Sequence, residues 1–201
     1  MNAILEIPVL SPRSLVLDPP LSDEEFERLS ETCRSAQLER NKEGTIIVNA
    51  PAGGTTSDGN SEINQQLRTW WKTHRRGRVF DSSAGFFLPD GSVLSPDAAY
   101  ATAEQLAGLK REDLDRFPRF APAFVIELLS PSDQLNAATA KMKAWIDNGV
   151  ELGWLVEPAS KRVHVYVPEK APVLEAGATI AGSGPVSGFV LDLNEVWSRY
   201  E

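Results

Sequence analysis

Two acids in this sequence stand where their surroundings make a carboxylate costly or well placed. Glu127 lies within Ala123-Phe124-Val125-Ile126-Glu127-Leu128-Leu129, the most apolar strand candidate in the chain. An ionised carboxylate there costs several kcal/mol unless a metal, a cation or hydrogen bonds offset it. Asp97 opens a second extended run at Ser95-Pro96-Asp97, where Pro96 stiffens the approach and the following Ala-Ala-Tyr-Ala suits close packing against a neighbour. Each has an ordinary explanation by itself: Glu127 could pair with an arginine or turn to solvent, and Asp97 could cap its own turn. On neighbouring strands, however, they form a pair of hard oxygen ligands suited to a divalent cation such as magnesium or manganese. Magnesium commonly takes one or two protein carboxylates and completes its shell with water and substrate phosphate. With one cysteine, Cys33, and two histidines, no site of soft ligands can be assembled, so any metal must rest on carboxylates.

A cation partner for these acids would come from the helix expected after the Glu127 strand. Leu135, Ala138, Met142 and Trp145 form its apolar face, and Lys141 and Lys143 lie about 100° to either side of Met142, so helical geometry does not choose between them. On an earlier helix Glu62 borders the stripe Ile63, Leu67, Trp70 and Trp71; taken alone it is an acid in a first helical turn. Arg68, Lys72, Arg75, Arg76 and Arg78, together with His74, form a stretch without an acid, either a phosphate-contacting patch or a solvated helix end. Neither His74 nor His164 falls in a nucleophile motif, which speaks against a Ser/His/Asp hydrolase.

The elements that would position these residues are readable from cap and periodicity signals. Ser22 with Glu25, and Leu21 with Phe26, predict a helix start. Residues 34–50 read as a hairpin around Asn41-Lys42-Glu43-Gly44, and Pro51 to Gly59 as a loop without the GK[ST] ending of a phosphate-binding loop. Asn60 onward reads as a helix burying its aromatic stripe. Residues 78–102 read as strands of a meander, 103–115 as polar and helical, and 123–129 as the central strand. Ser130-Pro131-Ser132-Asp133 and Asn148-Gly149 bracket a helix over 131–148. Two strands follow, around Leu152–Val156 and Arg162–Val167. The tail from Pro168 to Gly188 reads as loop, and Leu191 to Trp197 as a last short helix or strand. Strands and helices intersperse without strict βαβ periodicity, which implies an α/β fold with a mixed central sheet flanked by helices.

The 201 residues, with no break in composition, read as one domain over 1–201, with an N-terminal extension at 1–20 and a core from about 21. No apolar run is long enough for a membrane helix, and Met1 to Leu10 includes Glu6 and no basic leader, so a cytoplasmic location is expected. A net charge of −8 excludes a general nucleic-acid coat protein while leaving room for a local basic groove.

Several blocks together resemble one family: Asn60-Ser61-Glu62-Ile63-Asn64, Phe80-Asp81-Ser82-Ser83-Ala84-Gly85-Phe86, Ser95-Pro96-Asp97-Ala98, Phe124 to Leu128 with Ser130 to Asp133, Lys141-Met142, Asn148-Gly149-Val150 and Leu152 to Leu155. It is the Uma-two family, a branch of the PD-(D/E)XK nucleases, and the similarity runs from about residue 20 onward. The resemblance implies a restriction-endonuclease-like core in which Asp97 and Glu127 are the two signature acids. The signature lysine would fall at position 129, which is Leu129 here. In this family it is moved to the following helix in a Lys-Met pair, which favours Lys141 over Lys143. The same resemblance makes Glu62 a further acid of the metal site. It implies DNA phosphodiester hydrolysis with magnesium or manganese; because cutting both strands of a duplex needs two active sites, a homodimer is expected. The alternative is a nuclease-fold binding module that does not cleave.

Overall fold

The computed structural model describes residues 13–33 and 36–201. Residues 1–12 of the expected extension, and Arg34 and Ser35 at the entry to the expected hairpin, lie outside the described residues.

After strand β1 (Arg13–Leu15), helix α1 (Asp23–Thr32) begins where cap chemistry requires. The Glu25 N–H donates to Ser22 Oγ at 3.3 Å, the Ser22 N–H donates to the Glu25 carboxylate at 2.9 Å, and Leu21 and Phe26 share one apolar cluster. Strands β2 (Gln37–Arg40) and β3 (Ile46–Asn49) form the expected antiparallel hairpin. Gly44 at its turn has φ +84°, a conformation a Cβ resists.

Helix α2 runs Gly54–His74 and therefore takes in most of the segment expected as a loop. The physical reason is tertiary. Thr56 is buried, and a Cβ at Gly59 would stand 2.9 Å from Leu128 Cδ2 and 3.2 Å from the Tyr200 hydroxyl. The small residues that resemble a loop by composition let this helix approach the sheet closely. Further along, Ile63 and Leu67 are fully buried and Trp70 and Trp71 half-buried, as the periodicity predicts.

Strands β4 (Arg78–Asp81), β5 (Phe86–Phe87), β6 (Val93–Leu94) and β7 (Ala98–Ala101) do not form the single meander expected. β4 pairs with β7, whereas the β5–β6 hairpin joins β2 in a separate sheet of order β1-β3-β2-β6-β5. Local pattern predicts extended chain; the choice of partner belongs to packing. One-turn helices α3 (Ala103–Leu106) and α4 (Arg111–Leu114) lead to β8 (Phe124–Leu128), whose residues are all buried.

Helix α5 (Leu135–Asp147) starts later than the cap signals at 130–133 predict. The Ser130 N–H donates to Asp133 Oδ2 at 2.8 Å, which closes a turn at the strand end instead of opening the helix. Its C-terminus is as expected, with Asn148 as the cap and Gly149 at φ +105°. The chain then forms β9 (Leu152–Glu157), β10 (Arg162–Tyr166), β11 (Val173–Glu175), β12 (Thr179–Ala181), β13 (Val190–Asp192) and α6 (Leu193–Trp197).

The larger sheet has the order β11-β10-β9-β8-β7-β4. Only β8 and β9 are parallel in it, and α5 makes the crossover that a parallel pair requires. One sheet face packs Ile126 and Leu128 against Ile63 and Leu67 of α2; the other packs Val125 and Leu155 against Met142 and Trp145 of α5. This is the mixed sheet flanked by helices that the sequence implies. Among the described residues no helix is long and apolar enough to cross a membrane.

Candidate active site

Alternation along β8 sends Ile126 and Leu128 toward α2 and leaves Glu127 on the side of α5. There Trp145 Nε1 donates to Glu127 Oε1 at 2.8 Å and Lys141 Nζ donates to Glu127 Oε2 at 3.0 Å. The same ammonium donates to the Ser95 carbonyl at 2.7 Å and lies 2.9 Å from Glu39 Oε1. An ammonium carries three protons, so these acceptors saturate it. Lys143, its equal by helical geometry, instead pairs with Asp147 at 2.6 Å on the exposed side of α5.

Asp97 immediately precedes β7, and the register that pairs Ala98 with Ile126 sets it opposite Glu127 when continued by one residue. Its Oδ1 accepts from Asn60 Nδ2 at 2.7 Å, its Oδ2 from the Leu128 N–H at 2.7 Å, and its backbone carbonyl from Asn64 Nδ2 at 2.9 Å. Asn60 and Asn64 are one helical turn apart on α2, so that helix grips the start of β7 while α5 holds the end of β8.

The residue that sequence reasoning does not single out is Glu39. It is buried on β2, accepts from the Ser95 N–H at 2.8 Å and from Asn49 Nδ2 at 3.0 Å, and shares Lys141 with Glu127. An acid in a short strand beside a turn usually faces water. Only the docking of the β2–β3 hairpin against the larger sheet buries this one. In the sequence Asn60 reads only as the start of a helix and a member of a family block, and Trp145 as part of an apolar stripe, because neither side chain announces its acceptor locally.

Glu62 takes its contacts elsewhere. Its Oε2 lies 2.7 Å from Arg199 Nη2 and its Oε1 accepts from Gln66 Nε2 at 2.9 Å. It follows Asn60 by two residues, about 200° around the helix, so it faces away from the side that reaches Asp97. The basic segment is also removed from the acids. β4 runs antiparallel to β7 with Arg78 opposite Ala101, whereas Asp97 adjoins the other end of β7. Arg68, Lys72, Arg75, Arg76 and Arg78 are all exposed, and Arg75 lies about 22 Å along the helix axis from Asn60.

The electrostatics follow from burial. Desolvation pushes Glu127 up to about 8; Lys141 and the Trp145 hydrogen bond pull against this, and Asp97 and Glu39 add to it. Asp97 is raised by burial too, against the opposing pull of Lys141, the Leu128 N–H and Asn60. Although desolvation works to lower it, Lys141 is held above its ordinary value by Glu127, Glu39 and Asp97. Three acids thus face one ammonium, which contacts Glu39 and Glu127 and acts on Asp97 through its charge, and this imbalance drives Glu127 toward its protonated form.

That imbalance suits a hard divalent ion. Among the described residues no three acid, histidine or cysteine side chains form a ready-made metal cage. Two carboxylates plus water and substrate oxygens nevertheless meet magnesium's usual requirement. Asn60 Oδ1, on the amide that holds Asp97, is a further buried oxygen without a hydrogen-bond partner.

Comparisons with known proteins agree with this architecture. Residues 23–194 match the Uma2 family, described as "Putative restriction endonuclease". A crystal structure described as a putative nuclease belonging to DUF820 from Anabaena variabilis superposes with a TM-score of 0.74 at 23% identity, covering 90% of this chain and 100% of that one. At that identity the likeness shows the fold alone. No curated protein matches this chain.

Proposed function

This chain belongs to the Uma2 family, and from that premise we propose that it is a magnesium- or manganese-dependent endonuclease that hydrolyses phosphodiester bonds of DNA. One observation carries the reading: Asp97, just before β7, falls opposite Glu127 of β8 when their register is continued by one residue, beside a cluster with more carboxylates than its single ammonium neutralises. Asp97 and Glu127 would hold the ion, which when bound supplies charge neutralisation at the scissile phosphate and a water of lowered pKa.

The protein's own groups do the rest. Asn60 and the Leu128 N–H fix the Asp97 carboxylate, and Trp145 fixes that of Glu127. Lys141 bridges Glu39 and Glu127 and would act on the negative charge that develops on the phosphate through its field, its own protons being taken by these partners and the Ser95 carbonyl. In this reading Glu39, and not the Glu62 that the resemblance implies, is the third acid of the cluster, held by Ser95, Asn49 and Lys141 as a partner of the lysine and not as a ligand of the ion. The basic segment contacts phosphates at a distance: about 22 Å of helix corresponds to roughly six base pairs of duplex. Cutting both strands needs two such sites, which a homodimer supplies with a symmetry that matches duplex DNA.

The test is nicking of supercoiled plasmid by pure protein with magnesium, with excess chelator, and with Asp97→Ala. Cleavage that needs the metal and Asp97 is the expected result. Metal-dependent DNA binding without cleavage would establish the non-cleaving module instead.

A further inference from the structure

The ion pair that removes Glu62 from the acid cluster links a distant part of the chain to Asp97. Arg199, in the helical turn after α6, reaches back to α2: its Nη2 is 2.7 Å from Glu62 Oε2 and its Nε is 3.4 Å from Asp58 Oδ2, while Nη1 lies 3.4 Å from Glu195 Oε2 of its own helical segment. The Arg199 side chain is 21% exposed and that of Glu62 13%, so this is a largely desolvated clamp and not a loose surface pair. Next to it, Tyr200 packs against Gly59, where a Cβ would lie 3.2 Å from the tyrosine hydroxyl. Gln66, one turn beyond Glu62, ties the same face down twice: its Oε1 accepts from the Asp192 N–H at 2.7 Å and its Nε2 donates to the Asp192 carbonyl at 3.1 Å.

The helical arithmetic gives these contacts their meaning. Asp58 and Glu62 are four residues apart on one side of α2; Asn60 and Asn64, also four apart, lie about 200° away and hold Asp97. A rotation of this part of α2 about its axis would carry the Asn60 amide off the Asp97 carboxylate, and Arg199 gripping the opposite side opposes such a rotation.

We propose that Glu62 and Arg199 are positioning residues: their ion pair fixes the rotation of α2 and thereby holds the Asn60 amide on Asp97. The geometric part stands without any assumption about activity. Its consequence for metal affinity rests on the reading of Asp97 as a metal-holding carboxylate.

Two measurements on the full chain separate these layers. The first is the Asn60 side-chain amide resonance in metal-free protein, identified by its loss in Asn60→Asp. The second is manganese affinity by titration calorimetry. Arg199→Met is expected to move the Asn60 resonance and to weaken manganese binding by about tenfold or more, the range found when a group behind a metal ligand is removed. Arg199→Lys, which keeps the charge, should recover most of both. The milder Glu62→Gln should shift both in the direction of Arg199→Met, and serves if the methionine variant does not fold. Combining Glu62→Gln with Arg199→Met should add little, because both act on one clamp. An Asn60 resonance unmoved by Glu62→Gln, and by Arg199→Met where that variant folds, would overturn the proposal. So would loss of manganese binding in Glu62→Gln with the resonance in place, since that would make Glu62 a ligand. If the parent protein binds no manganese, the metal reading of Asp97 fails, while the resonance still decides whether the clamp positions Asn60.

Discussion

The two ends of strand β7 are built on opposite principles. At the end beginning with Asp97, Glu39, Asp97, Glu127 and Lys141 are packed into the junction of two sheets and two helices, and every carboxylate among them has hydrogen-bond partners. At the end marked by Ala101, the basic residues from Arg75 to Arg78 project into solvent around a helix terminus. Chemistry that depends on a fixed arrangement of charge needs the first kind of environment, where low dielectric makes each contact strong and each misplacement costly. Long-range attraction of a polyanion needs only the second.

If that contrast is functional, mutations at the two ends should differ in kind as well as size. The largest effect is expected for Asp97→Ala, which should lower metal-dependent plasmid cleavage by at least about 10²-fold; activity within a few-fold of the parent would move the site elsewhere. Lys141→Ala should come next, through stability. Removing the one ammonium leaves buried acids without a counterion, at a cost of about 3–5 kcal/mol in denaturant melts. Lys143→Ala, which breaks an exposed pair, should leave the melting curve where it was. Similar effects of the two lysines would show that burial does not set the strength of the charge pairs on α5.

A pH dependence sharpens the comparison further. Glu127 has an ordinary value of 4.5 and is raised to about 8 in the folded protein. Between those values the folded state holds a proton that the unfolded state has released, so this group's contribution to stability is present at low pH and is lost as pH rises toward 8. Metal-free protein should therefore lose stability across that window, and Glu127→Gln should flatten the profile. Metal binding must displace the proton, so manganese affinity should rise over the same window, by up to about tenfold per pH unit. A pH-independent affinity would show that Glu127 is not a ligand.

The smallest effect is expected at the basic end. Arg75→Glu with Arg76→Glu should leave manganese binding unchanged and reduce the log–log salt slope of DNA binding by about one for each lost phosphate contact. An unchanged slope would direct the DNA path away from α2.

Much of this protein was determined by its sequence. Ser22 with Glu25 set the start of α1, the stripe through Ile63 and Leu67 set the buried face of α2, and the apolar run around Val125 set the central strand, because caps and periodicities act within a few residues. Asp97 and Glu127 were visible for the same reason: each is out of keeping with its own neighbours. What only the tertiary structure decided is partnership. Lys141 and Lys143 are equivalent on an isolated helix, and the docking of α5 on β8 separates them. Glu39 looks like a surface acid until the hairpin closes over it, and Glu62 looks like a site acid until Arg199 meets it across 137 residues of chain. Pro51 to Gly59 has the composition of a loop, yet from Gly54 it is helix, and at Gly59 Leu128 and Tyr200 lie where a larger side chain would have to stand. Contacts between residues far apart in the chain leave no periodicity to read, and a charged group's role is set by the charge that folding places beside it.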